Sequence, residues 1–211
     1  MMGRGSMARS ERIRSAILAA AADQFLDRGF LGASMDDIAA VASVSKQTVY
    51  AHFENKESLF LAMVRGLTGA ASDSFQEQLG EASSDEPVDQ FLLAFARLQL
   101  HIVMTPRLMR LRRLAIGEAG RFPELGRALH EKGPARSIDK LARAFSSYRM
   151  AGHLSMRDDE EAAAFFNWLV MGGPVNAVML LGDEEILDGH AIDRHSREAV
   201  RIFLAAYGAK P

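Results

Sequence analysis

Ser34-Met35-Asp36-Asp37-Ile38-Ala39-Ala40-Val41-Ala42-Ser43-Val44-Ser45-Lys46-Gln47-Thr48-Val49-Tyr50-Ala51-His52-Phe53 contains two helix starts, at Ser34 and Ser45. Asp37, three residues after Ser34, completes a capping box with a short acid, and Ile38, Val41 and Ala42 follow at helical spacing. The Ser45 hydroxyl can cap a second short helix that carries Val49 and Phe53 on its inner side. Two capped helices this close together form a helix-turn-helix pattern. Helices this short are marginal in water, so Ile38, Ala42, Val44, Val49 and Phe53 must be held by packing on a neighbour. Left outward are Lys46, Gln47, Thr48, Tyr50 and His52: a cation, an amide, a hydroxyl and two rings, without a carboxylate. Such a set suits base edges and phosphates, although a polar face that merely meets solvent has the same composition.

The flanks supply the missing support. Upstream, Ile13, Ile17, Ala21 and Phe25 recur every four residues and predict an amphipathic helix from Ser10 to Arg28. Gly29 ends it in the left-handed conformation, with Phe30 folding back on Phe25. Residues 1–9 are expected to be a flexible lead-in, and Met7 a native start. Downstream, Asn55 can cap a fourth helix through Leu59, Phe60, Met63, Val64 and Leu67. Lys56 falls in its first turn, where a cation opposes the helix dipole unless an anion such as phosphate approaches.

The spacing of Ile38-Ala39, Val44-Ser45, Thr48-Val49-Tyr50, His52-Phe53 and Lys56 resembles the TetR family DNA-binding domain over about residues 10–60. Ser43 stands where members often carry glycine, and serine serves there if its φ is not positive. The resemblance implies a dimeric repressor whose third helix enters the major groove. It makes Ser34 and Lys56 phosphate contacts at the groove edges, with Ser45 alongside, and Tyr50 and His52 grips on the backbone. Lys46 and Gln47 become the base readers, lysine suiting guanine acceptors and glutamine adenine, while Thr48 can do either.

Composition bounds the remainder. The chain has 211 residues, 48% apolar and 25% charged, a formal net charge of −2 and no cysteine. Disulfides, thiol nucleophiles and thiolate metal sites are thereby excluded, and a cytoplasmic location is expected. Residues 1–68 carry +1 and residues 69–211 carry −3, so a DNA reading rests on local arrangement rather than global charge. No apolar run approaches the roughly 20 residues of a bilayer span, so no membrane partner is expected. Sparse β-branched residues and abundant Ala, Leu, Met, Glu and Arg predict an all-α protein.

Beyond residue 69 a loop around Gly80, Ser83 and Ser84 precedes further helices. They are expected at Pro87 to before Pro106, Arg107–Gly120, Pro123–Glu131, Pro134–Ala151, from Asp158 or Asp159 onward, and Asp193–Tyr207. Gly172-Gly173-Pro174 is expected to bend or divide the penultimate one. Arg112 to Ala119, Arg121 to Leu125 and Lys132 to Arg136 resemble the regulatory domain of AefR-like members of the same family. That resemblance implies a four-helix dimer interface made by the last two long helices. Phe165, Trp168, Leu169 and Gly172 fit it as large apolar groups beside a small one, and equally fit a monomeric core. Phe91, Phe95, Leu98, His101, Met104, Leu114, Phe122 and Phe145 can line an apolar effector pocket, or simply form core.

Catalysis lacks machinery. The histidines form no HExxH pair, and no phosphate loop, dinucleotide fingerprint or G-x-S-x-G elbow occurs. Asp188, His190, Asp193 and His195 cluster at a helix start, where Asp193 is expected to cap rather than bind metal. No cofactor is expected. The domains read as 1–9 lead-in, 10–56 helix-turn-helix DNA-binding domain, and 57–211 ligand-binding and dimerisation domain. The function read from this is a dimeric repressor that leaves a palindromic double-stranded operator when a small molecule binds. The alternative is a helical interaction protein without specific DNA binding.

Overall fold

The computed structural model describes residues 4–80 and 86–209, so the expected loop at Ser83 and Ser84 lies outside the described residues. Among them the chain is helical throughout, with no strand. Helix α1 (Arg4–Gly32) begins ahead of the expected Ser10 and breaks at Gly29, where φ is 70°. Phe30 then stacks on Phe25 with ring centroids 6.0 Å apart, the contact that closes the helix end. Next come α2 (Met35–Val41), α3 (Lys46–His52) and α4 (Lys56–Leu79), the last running well past Leu67 and stopping at Gly80, whose φ is 69°. The rest is α5 (Val88–Val103), α6 (Pro106–Glu118), α7 (Pro123–Lys132), α8 (Pro134–Met150), α9 (Asp159–Leu181) and α10 (Gly189–Tyr207), with a 3-10 turn at Asp183–Glu185.

Two expectations are corrected here. Helix α9 runs through Gly172-Gly173-Pro174 without dividing, and Pro174 is buried. Proline has no N–H to give the carbonyl four residues back, which is that of Val170. The His195 ring on α10 lies with Nε2 2.8 Å from that oxygen and donates the bond the helix cannot. Helix α10 starts at Gly189 and is capped by Asp188, whose Oδ1 accepts from the Ala191 N–H at 2.8 Å. Asp193 is not the cap: it pairs with Arg97 on α5 and with Arg197 at 2.8 Å.

Helix α9 is also long and apolar enough, by length and composition, to cross a bilayer, contrary to the sequence expectation. Its inner face, including Phe166, Val170 and Val178, lies in a protein core.

The described residues fall into two compact units. The first takes the chain up to Leu67 together with Arg110–Leu129. Its core holds Ile17, Phe25, Phe30, Ile38, Val49 and Phe60, and Phe60 lies 4.8 Å from Phe25 and 5.1 Å from Phe30 between ring centroids. Each buried phenylalanine contributes roughly 1.5–3 kcal/mol, which is what holds two-turn helices that cannot stand alone. The second unit takes Thr68–Met109 and the chain from His130 on. There α8 packs on α9, and α10 packs on α5 and α9, around Phe91, Phe95, Phe145, Phe166 and Phe203.

Candidate nucleic-acid interface

Local hydrogen bonds fix the path from α2 to α3. The Ser34 hydroxyl accepts from the Asp37 N–H at 3.1 Å and donates to Asp37 Oδ2 at 2.8 Å. Asp37 also takes Arg28 Nη1 at 3.2 Å, tying the end of α1 to the start of α2. At the far end of α2, the Val44 N–H reaches the Ala39 carbonyl at 3.0 Å and the Ser43 N–H reaches Ala40 at 3.1 Å. This is a Schellman ending, and it places Ser43 at φ 54°. Serine therefore occupies the left-handed region here, against the expectation of a non-positive φ. Ser45 restarts the chain as a helix by accepting from the Thr48 N–H at 3.0 Å, its hydroxyl also bonded to that of Thr48 at 2.8 Å.

With Val49 and Phe53 buried, α3 presents its other side. Ser45, Lys46, Gln47 and Tyr50 are exposed, and Thr48 and His52 are half-buried. Ser34 and Lys56 are half-buried too. The Lys46 ammonium is not free: it lies 2.7 Å from Asp36 Oδ1, a carboxylate that α2 brings to the reader face. That hydrogen bond and charge hold the Lys46 pKa above its ordinary value. Asp36 escapes a sequence reading because it is ten positions away across a turn, and no local pattern joins the two.

Asn55 caps α4, its Oδ1 accepting from the Ser58 N–H at 2.8 Å. Lys56 turns inward. Its Nζ donates to the Ala33 carbonyl at 2.9 Å and sits 4.5 Å above the Phe30 ring. Arg121 approaches the same ring at 5.3 Å, and Phe122 meets it edge-on at 4.9 Å. On the other flank, the Arg14 guanidinium lies 5.2 Å from the Phe53 ring centre.

Of the candidate pocket residues, Phe91, Phe95, Met104 and Phe145 are buried in the core of the second unit, Leu98 is partly buried against it, and His101 is exposed. Leu114 and Phe122 belong to the first unit. Of the candidate interface residues, Phe165 and Trp168 are exposed, while Leu169 and Gly172 are half-buried. Leu180 and Leu181, missed in the sequence, extend that exposed apolar side of α9.

A two-helix reader held on a three-helix core, followed by a larger helical unit, defines a helix-turn-helix regulator. Residues 17–63 match the model for bacterial regulatory proteins of the tetR family, and residues 90–209 match that for the AefR-like transcriptional repressor C-terminal domain. The chain belongs to the TetR family, with an AefR-like C-terminal domain. A solved structure from Mesorhizobium loti MAFF303099, described as a TetR-family transcriptional regulator, is 35% identical with a TM-score of 0.86, covering 95% of this chain and 99% of that one. The flavonoid-responsive regulator FrrA is 34% identical with a TM-score of 0.77, covering 95% of this chain and 100% of its own. The HTH-type transcriptional activator FasR of Mycolicibacterium smegmatis is 42% identical over 62 residues, 29% of this chain and 28% of FasR. The chain thus spans little more than a quarter of that curated relative's length in the match.

Proposed function

We propose that the protein is a homodimeric, sequence-specific DNA-binding repressor, acting in the cytoplasm, that leaves its operator when a small apolar molecule binds the larger helical domain. The observation that carries this reading is the outward presentation of Lys46, Gln47 and Tyr50 on a helix whose start, turn and inner face are each fixed by named contacts. Lys46 and Gln47 read base edges, with Thr48 beside them. Ser34, Ser45, Tyr50, His52 and Lys56 hold phosphates. No catalytic role is assigned.

Two copies are needed because one reader helix covers too few base pairs, whereas a twofold pair reaches successive major grooves about 34 Å apart. Phe165, Trp168, Gly172, Asn176 and Leu180 form one stripe along α9, and its large apolar members are exposed. A Cβ placed on Gly172 or Gly173 meets nothing within 4 Å in the protomer, so close approach by a second copy is what favours glycine there. Helix α4 runs unbroken from the reader into the larger domain and is the element through which an effector changes half-site spacing. The AefR-like match supports the repressor sign, and FrrA, whose name makes it flavonoid-responsive, supports a small aromatic effector.

Selection of bound sequences from random duplex DNA with the purified protein tests the reading. An inverted repeat is the expected outcome; failure to enrich any sequence sinks it. If each subunit neutralises about four phosphates, log affinity falls against log salt with a slope near about −7. A flat salt response leaves the helical interaction protein as the better account.

A further inference from the structure

The core of the second unit contains polar atoms with no partner among the described residues. Gln99 on α5 is 4% exposed and Asn167 on α9 is 0% exposed. Gln99 Nε2 donates to Asn167 Oδ1 at 2.8 Å, and this single bond uses half of each amide. Gln99 Oε1 and Asn167 Nδ2 are left over, both buried and both unpartnered. Ser196 on α10 is 0% exposed, and its hydroxyl is likewise without a partner. The three side chains come from helices that meet at one level: Arg97 pairs with Asp193 across α5 and α10, and His195 reaches the Val170 carbonyl across α10 and α9. Phe95, one turn before Gln99, and Phe166, next to Asn167, lie 6.2 Å apart between ring centroids.

Leaving a buried donor or acceptor unmade is expensive, whereas replacing both members of a pair by apolar groups of the same shape is nearly neutral. Packing alone therefore favours leucine or methionine at these positions. The unused atoms are also complementary in kind: Gln99 Oε1 accepts and Asn167 Nδ2 donates. One chemical group answers both at a single atom, a hydroxyl, which donates its proton to the first and accepts from the second.

Resting on the effector reading above, we infer that Gln99 and Asn167 anchor the polar end of the effector, with Ser196 beside them, and that the effector is an aromatic alcohol of the phenol class. The flanking Phe95 and Phe166 rings take its aromatic body by edge or offset contact. The inference concerns residues absent from the sequence-level pocket, which was drawn from apolar side chains and His101.

The test uses the full-length protein and two probes, 2-naphthol and 2-methoxynaphthalene, which share a ring system but differ in the ability to donate. Titration calorimetry on the native protein is expected to show 2-naphthol binding at least about tenfold more tightly. In a Gln99→Met, Asn167→Leu double variant that preference collapses to within about threefold, while thermal melting stays level or rises because buried unpaired atoms have been removed. Equal binding of the two probes by native protein, no detectable binding of either, or a preference that survives in the double variant overturns the proposal. A fall in melting temperature without loss of preference assigns the amides to packing or to a buried water, and also overturns it. Operator release is measured separately. If 2-naphthol binds with the expected preference and releases no DNA, the anchor stands and the switch reading fails. If another compound releases DNA without dependence on Gln99 and Asn167, the switch stands and the anchor fails.

Discussion

The Lys46 ammonium, 2.7 Å from Asp36, faces two competing anions once DNA approaches. Both side chains are exposed, so solvent weakens the intramolecular pair, but Asp36 still repels any phosphate that nears the reader face. Replacing Asp36 by Asn removes the competitor and the repulsion together. Affinity for random duplex DNA is expected to rise about threefold to tenfold at low salt and to converge on the native value as salt is raised. Fluorescence anisotropy across a salt series reads this directly, and unchanged affinity at low salt contradicts the competition. Gln47→Ala is expected instead to relax the preference at one or two bases of the selected operator, with random-sequence affinity little changed. The two substitutions separate a residue that sets overall grip from one that reads sequence.

At the scale of elements, the turn and the late helices behave differently. Ser43 at φ 54° carries a Cβ in the left-handed region. Ser43→Gly relieves that contact and is expected to stabilise the protein by about 0.5–1 kcal/mol, seen as a shift in denaturant midpoint. A destabilised variant would mean the serine side chain holds the turn. In α9 the Pro174 ring and the His195 donor form a compensating pair around the Val170 carbonyl. His195→Ala is expected to cost about 1–3 kcal/mol, and much less when Pro174→Ala has already restored the helix N–H. Additive costs in that four-protein cycle would show that the two do not act on the same oxygen. The contrast explains what was legible in the sequence. Ser34, Ser45, Asn55 and Gly29 act on neighbours one turn away, so their roles follow from spacing alone. Pro174 reads as a break because its remedy sits on another helix, and Asp36 reads as an ordinary first-turn acid because its partner lies beyond a turn. Gln99 and Asn167 carry no pattern at all, being single polar residues inside apolar runs that only the packing of α5 on α9 brings together.

At the scale of the whole molecule, function requires a second copy. Trp168 is 46% exposed and Phe165 is 54% exposed, so a charge at either position costs the isolated protomer little and a packed interface a great deal. Trp168→Glu is expected to give a folded monomer by sedimentation, with helical content retained and affinity for an inverted repeat reduced at least about tenfold. A dimer that persists in this variant would move the contact surface away from the centre of α9. The family and the helix-turn-helix were legible from about fifty residues of local spacing. The interface was legible only in part, because an apolar helix face looks the same whether it meets a core or a twin.

One aromatic ring near the reader serves two masters. Phe30 has the Lys56 ammonium at 4.5 Å and the Arg121 guanidinium at 5.3 Å, two like charges drawn to one π-face with no carboxylate recorded between them. Their mutual repulsion is stored in the unliganded state. An arriving phosphodiester that takes either cation discharges it, so the same ring that steadies the resting protein also lowers the barrier to letting go of it.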